Sequence, residues 1–90
     1  MVEIAKILRV TNQKGLHARP AQKLVRTILN YKCDTYITLN GYRVNAKSIM
    51  GVLTLAATQG TDLTVTCAGE DAAEAMAALE KLFKTGFKDE

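Results

Sequence analysis

Asp34-Thr35-Tyr36-Ile37-Thr38-Leu39-Asn40-Gly41-Tyr42-Arg43-Val44-Asn45 is the stretch on which the fold of this 90-residue chain turns. Thr35, Ile37 and Leu39 alternate with Tyr36 and Thr38 in a run rich in β-forming residues. Asn40-Gly41 follows, a pair that readily takes the left-handed conformations a tight hairpin turn requires. Tyr42-Arg43-Val44-Asn45 then returns as the partner strand.

Upstream, Val2, Ile4, Leu8 and Val10 recur at even spacing, with Lys6 as the exception, so residues 2–11 read as a half-buried strand. Asn12-Gln13-Lys14-Gly15 is a loop. From Ala18 to Asn30, Ala21, Leu24, Val25 and Ile28 fall at the i, i+3, i+4, i+7 spacing of a buried helical face. Lys23, Arg26 and Thr27 then lie on the solvent side, and Pro20 fits only near the helix start.

Downstream, Ser48 is the expected N-cap of a short helix over Ile49–Leu55. Gly60 breaks the chain, and Leu63, Val65 and Cys67 alternate as a fourth strand. Asp71-Ala72-Ala73-Glu74 has the form of a capping box with Asp at the cap. Behind it, Ala72, Ala75, Met76, Leu79, Leu82 and Phe83 make one apolar face. The order is β-α-β-β-α-β-α, an α+β domain with two layers. Pattern alone leaves open whether the helices cover one face of an antiparallel sheet or pack in a ferredoxin-like way.

Composition bounds the rest. Ninety residues hold one core, so residues 1–90 are expected to form a single domain. An apolar content of 48% and a charged content of 23% exclude disorder as the default. The net charge of +3 comes without a basic run, and Tyr36 and Tyr42 are the sole candidates for base stacking on strands. An RNA-binding domain is therefore disfavoured, and no nucleic-acid partner is expected. The amino terminus lacks the layout of a signal peptide, and no apolar stretch approaches membrane-spanning length. The expected compartment is the cytoplasm, with Cys33 and Cys67 reduced and acting as part-buried small hydrophobes rather than a disulfide. Neither a metal site nor a cofactor is expected.

The one histidine is His17, in Gly15-Leu16-His17-Ala18-Arg19-Pro20-Ala21. Gly15 lets the backbone turn, and the helix from Ala18 offers unpaired N–H groups and a positive dipole end, an anion site. Arg19 brings a cation that forks onto phosphate oxygens. A neutral imidazole nitrogen there can attack a phosphoryl group, and the product stays transferable because the leaving imidazole can be protonated.

This segment resembles the phosphorylation motif of HPr, the histidine-containing phosphocarrier of bacterial phosphoenolpyruvate-dependent sugar phosphotransferase systems. Val44-Asn45-Ala46-Lys47-Ser48-Ile49-Met50-Gly51 is similar to that family's regulatory serine region, and the likeness spans essentially the whole chain. The resemblance implies an open-faced two-layer β-sandwich, four antiparallel strands covered on one face by three helices. It implies a phosphocarrier rather than an enzyme, with His17 as the phosphorylated residue and Arg19 as its phosphate-stabilising neighbour. The implied partners are Enzyme I as donor and the A domains of sugar permeases as acceptors. An HPr kinase/phosphorylase acting on Ser48 and a transcriptional regulator are further partners of the family.

The resemblance also implies a docking patch of Ala18, Gln22, Ile49, Met50 and Leu53, ringed by Arg19, Lys23 and Arg26. The carrier itself is expected to be a monomer. The alternative is a regulatory paralogue, nitrogen-related or kinase-linked, without a role in sugar transport.

Overall fold

A computed structural model describes residues 2–88 of the chain. The hairpin forms as its residues dictate: β2 (Asp34–Leu39) and β3 (Tyr42–Asn45) pair antiparallel with Leu39 opposite Tyr42. Both turn residues are left-handed, Asn40 at φ +52° and Gly41 at φ +80°, the combination that matches the strands' own twist. The other two strands are β1 (Glu3–Arg9) and β4 (Asp62–Ala68). The sheet order is β1-β4-β2-β3, and every neighbouring pair is antiparallel.

Three helices complete the chain: α1 (Ala18–Ile28), α2 (Ile49–Thr54) and α3 (Ala72–Lys84). The residues that alternate inward on the sheet, Leu8, Ile37, Val44, Leu63, Val65 and Cys67, form one cluster with Leu24 and Ile28 of α1, Val52 of α2 and Met76, Leu79 and Phe83 of α3. This is the open-faced α+β sandwich, and the ferredoxin-like alternative falls away.

Several local expectations are corrected. The first strand is shorter than residues 2–11, although Val10 is fully buried just beyond it. α1 stops at Ile28 instead of Asn30, because the chain tightens into a turn in which Asn30 N–H donates to Thr27 O. α2 stops at Thr54, with Leu55 as its C-cap.

The capping box at Asp71 does not form. That carboxylate makes no cap hydrogen bond; its Oδ2 accepts instead from the Lys32 N–H at 2.8 Å, tying α3 to the loop before β2. Lys23 is also not simply solvated: its half-buried side chain donates from Nζ to Phe87 O at 2.8 Å and to Lys88 O. Phe87 is buried against Phe83, with ring centroids 4.9 Å apart, so the segment after α3 packs back onto the domain. Met1, Asp89 and Glu90 of the expected 1–90 domain lie outside the described residues.

Both thiols are free and more deeply buried than expected, Cys33 at 7% and Cys67 at 0% exposure. Burial pushes the Cys67 thiol up from its ordinary pKa. On the uncovered face of the sheet, Arg9 forks onto Asp62 of the adjacent strand at 2.8 and 3.1 Å. That contact holds the Asp62 carboxyl below, and the Arg9 guanidinium above, their usual ranges. No helix among the described residues is long and apolar enough to cross a membrane.

Candidate functional site at the start of α1

The loop between β1 and α1 is shaped by contacts on both sides. Gly15 has φ +72°, and a Cβ built there would lie 2.3 Å from Ala57 O, so only glycine fits. The neighbouring Leu16 N–H donates to that same Ala57 oxygen at 2.9 Å. His17 follows as the N-cap of α1, in extended backbone geometry, φ −83° and ψ −167°. Its N–H donates to Gly15 O at 3.0 Å and its carbonyl accepts from Ala21 N at 3.0 Å. The half-buried imidazole makes no capping bond to the first turn.

The first N–H groups of any helix lack intrahelical acceptors. Pro20 contributes none, so those of Ala18 and Arg19 are the two that α1 does not use itself. The first turn carries no acidic residue that would repel an anion. Arg19 is exposed, and among the described residues it forms no ion pair. His17 therefore sits where the dipole, two N–H groups and a guanidinium all favour negative charge.

His17 lines a shallow cleft with Lys14, Leu16, Leu53, Ala56, Ala57 and Thr58. The cleft joins the start of α1 to the end of α2, and Lys14 brings a second cation to its rim. The far wall, Ala56 to Thr58, escapes sequence reasoning. Ala56 is left-handed at φ +47°, and nothing in an alanine announces that.

Ser48 is exposed and caps α2, its Oγ accepting from Gly51 N at 3.1 Å, as expected for an N-cap. Ile49 is 38% and Met50 71% exposed, more than core residues would be. A second cleft, between α1 and α2, is lined by Gln22, Val25, Arg26, Leu29 and Ile49. Leu29 is 63% exposed there. It stands off the buried α1 face, and its position as an apolar residue on the polar side was the signal available. Ala18 is exposed and Leu53 half-buried on the same side. Of the residues expected in the patch, Gln22, Arg26, Ile49 and Leu53 line these two clefts, whereas Ala18, Arg19, Lys23 and Met50 line neither. The Lys23 amine is turned to the chain end.

The chain matches the family model described as the PTS HPr component phosphorylation site over residues 4–85. It is 49% identical over 83 residues to the phosphocarrier protein HPr of Xylella fastidiosa (strain Temecula1), covering 92% of this chain and 93% of that one. Among solved structures it resembles a crystal structure of HPr from Thermoanaerobacter tengcongensis with a TM-score of 0.88 and 36% identity, over 100% of this chain and 99% of the other. A structure described as an HPr dimer from the same organism matches with a TM-score of 0.77 and 35% identity, covering 91% and 94%.

Proposed function

The chain belongs to the HPr family of phosphotransferase-system phosphocarriers, and on that premise we propose that His17 accepts a phosphoryl group from Enzyme I and hands it to the A domains of sugar permeases. The observation that carries this reading is His17 at the N-cap of an eleven-residue helix, with Arg19 in the first turn. An imidazole nitrogen attacks the phosphorus as the bond from phosphorus to the donor group of Enzyme I breaks. The N–H groups of α1 and the Arg19 guanidinium stabilise the equatorial oxygens during that exchange. Protonation of the His17 imidazole then makes it the leaving group toward an acceptor. The chain turns nothing over alone; it is a carrier that its partners load and unload, in the cytoplasm.

The docking patch comprises Ala18, Gln22, Ile49, Met50 and Leu53, with Leu29 added from the structure and Arg19 and Arg26 as its cationic rim. Exposed apolar side chains beside the reacting residue suit a surface that must meet several partners in turn. Lys23 contributes to the field of the molecule without touching the patch. A phosphate on Ser48, placed there by an HPr kinase, would put negative charge beside Ile49 and Met50 and discourage docking. The same phosphoserine is the feature a transcriptional regulator would read. We take the carrier to be monomeric in solution, although a relative is described as a dimer; sedimentation distinguishes the two.

The relay is tested by mixing Enzyme I, labelled phosphoenolpyruvate, this protein and a permease A domain. Label should reach the A domain with the wild-type carrier and not with His17→Ala. Equal transfer through the mutant would end the assignment. A regulatory paralogue would instead load His17 and fail to pass the label on.

A further inference from the structure

We infer that Asn12, buried in the loop before α1, is a positioning residue for His17 that acts through the Gly15 carbonyl. For its kinetic test the inference rests on the phosphocarrier reading above. Asn12 is 5% exposed, and a buried amide is retained where its hydrogen bonds are used. Its Nδ2 donates to Gly15 O at 2.6 Å, while the Asn12 main-chain carbonyl accepts from Gly15 N at 3.1 Å. The same Gly15 oxygen accepts the His17 N–H at 3.0 Å. One carbonyl thus joins a buried side chain to the backbone of the residue that bears the imidazole.

The surroundings make that carbonyl a fixed point. On one flank, Gly15 is pressed so closely on Ala57 O that no Cβ fits, and Leu16 is bonded to that oxygen. On the other flank, Thr11 Oγ1 donates to Phe83 O at 2.6 Å, and Gln59 Nε2 donates to Thr11 O at 3.1 Å. The Asn12 Cβ lies 3.6 Å from where a Gly86 Cβ would stand, so the turn after α3 backs it. Asn12 is the piece of this framework that reaches the Gly15 carbonyl. Without its amide, the 15–17 backbone loses one of two restraints on that oxygen. The imidazole then samples orientations that miss the phosphorus, and errors near 1 Å slow such transfers by as much as about a hundredfold.

The test compares Asn12→Ala and Asn12→Asp, the second keeping the shape and removing the donor, with Gln59→Ala, which loosens the loop from outside. Steady-state phosphorylation by Enzyme I is measured against carrier concentration. Hydrogen exchange of the His17 amide is followed by NMR in the unphosphorylated proteins. Both Asn12 variants should lower kcat about tenfold or more with KM changed less than about twofold, the pattern of an interaction that matters in the transition state and not in docking. Their His17 amides should exchange faster, whereas Gln59→Ala, which loses a bond to Thr11 O and none to the Gly15 carbonyl, should change both measurements far less.

Wild-type kcat in folded Asn12→Asp, or an equal loss in Gln59→Ala, overturns the inference. So does a raised KM with kcat intact. Should the wild-type protein take no phosphoryl group at all, the phosphocarrier reading fails by itself. The exchange measurement then decides: unchanged His17 protection in Asn12→Asp rejects the positioning role.

Discussion

The starts of α1 and α2 are built from the same parts and used in opposite ways. At α2 the cap residue Ser48 turns its hydroxyl back onto Gly51 N, satisfying its own helix. At α1 the cap residue His17 leaves the first turn to other acceptors, and an arginine follows two positions on. Neither first turn carries an acid. A helix start closed by its own side chain is a structural joint, stabilised by ~1 kcal/mol. One left open, with a cation and an imidazole beside it, favours a bound anion, which is what the proposed phosphoryl transfer requires. The two glycines nearby repeat the contrast. A Cβ at Gly15 would collide with Ala57 O at 2.3 Å, whereas one at Gly51 would make 3.4 Å contacts with Asn45 O and Ser48.

The sharpest way to break this contrast is to put an alanine at each glycine. Gly15→Ala must displace the 55–58 segment or abandon φ +72°, so it should destabilise the fold by ~2–4 kcal/mol and slow transfer to His17 more than about tenfold. Gly51→Ala, tightly but acceptably accommodated, should do neither. Thermal unfolding and phosphorylation assays on the pair check this. Comparable losses from both would mean that the α1 start is no more constrained than the α2 start.

Arg19→Ala removes the cation from the open start. Transfer should slow at least tenfold, ~1.4 kcal/mol of barrier, while the thermal midpoint barely moves, because the side chain is exposed. A large drop in stability with an unchanged rate would make Arg19 structural and remove the distinction between the two starts.

The smallest effects are expected at the closed start. Ser48→Ala should lower stability by ~1 kcal/mol and leave transfer kinetics alone. Ser48→Asp keeps a capping oxygen and adds charge beside Ile49 and Met50. It should hold stability and raise the apparent KM of Enzyme I for the carrier about fivefold, ~1 kcal/mol. An unchanged KM in both the mimic and the authentic phosphoprotein would leave Ser48 as a cap alone.

What could be read from the sequence was what local chemistry decides. Asn40-Gly41 needs no neighbours to call for a turn, and Ala21, Leu24, Val25 and Ile28 declare their face by spacing. Ser48 caps because the N–H it accepts from, that of Gly51, lies three residues away. Helix ends are missed by local turns, but two of the misses involve a partner far along the chain. Asp71 stands at the N-cap position of α3, as its spacing predicts, but its carboxylate is taken by Lys32 N–H, a loop residue 39 positions earlier. Lys23 looked solvated, but its amine is held by carbonyls after α3. Around His17 the local motif points to the chemistry, yet Ala57 O, which enforces the glycine, emerges only when the segment after α2 is folded against the loop before α1. The Asn12 amide grips the Gly15 carbonyl from three residues away, a contact that a reading of residues 12–15 as a plain loop passes over.

The direct test of the open and closed starts is to find where the phosphoryl group goes. Wild-type protein is incubated with Enzyme I and phosphoenolpyruvate and examined by phosphorus NMR, followed by residue mapping. One acid-labile phosphoimidazole at His17, with Ser48 unmodified, is the predicted result. An acid-stable phosphoester at Ser48 or elsewhere, with an unmodified imidazole, would contradict the account.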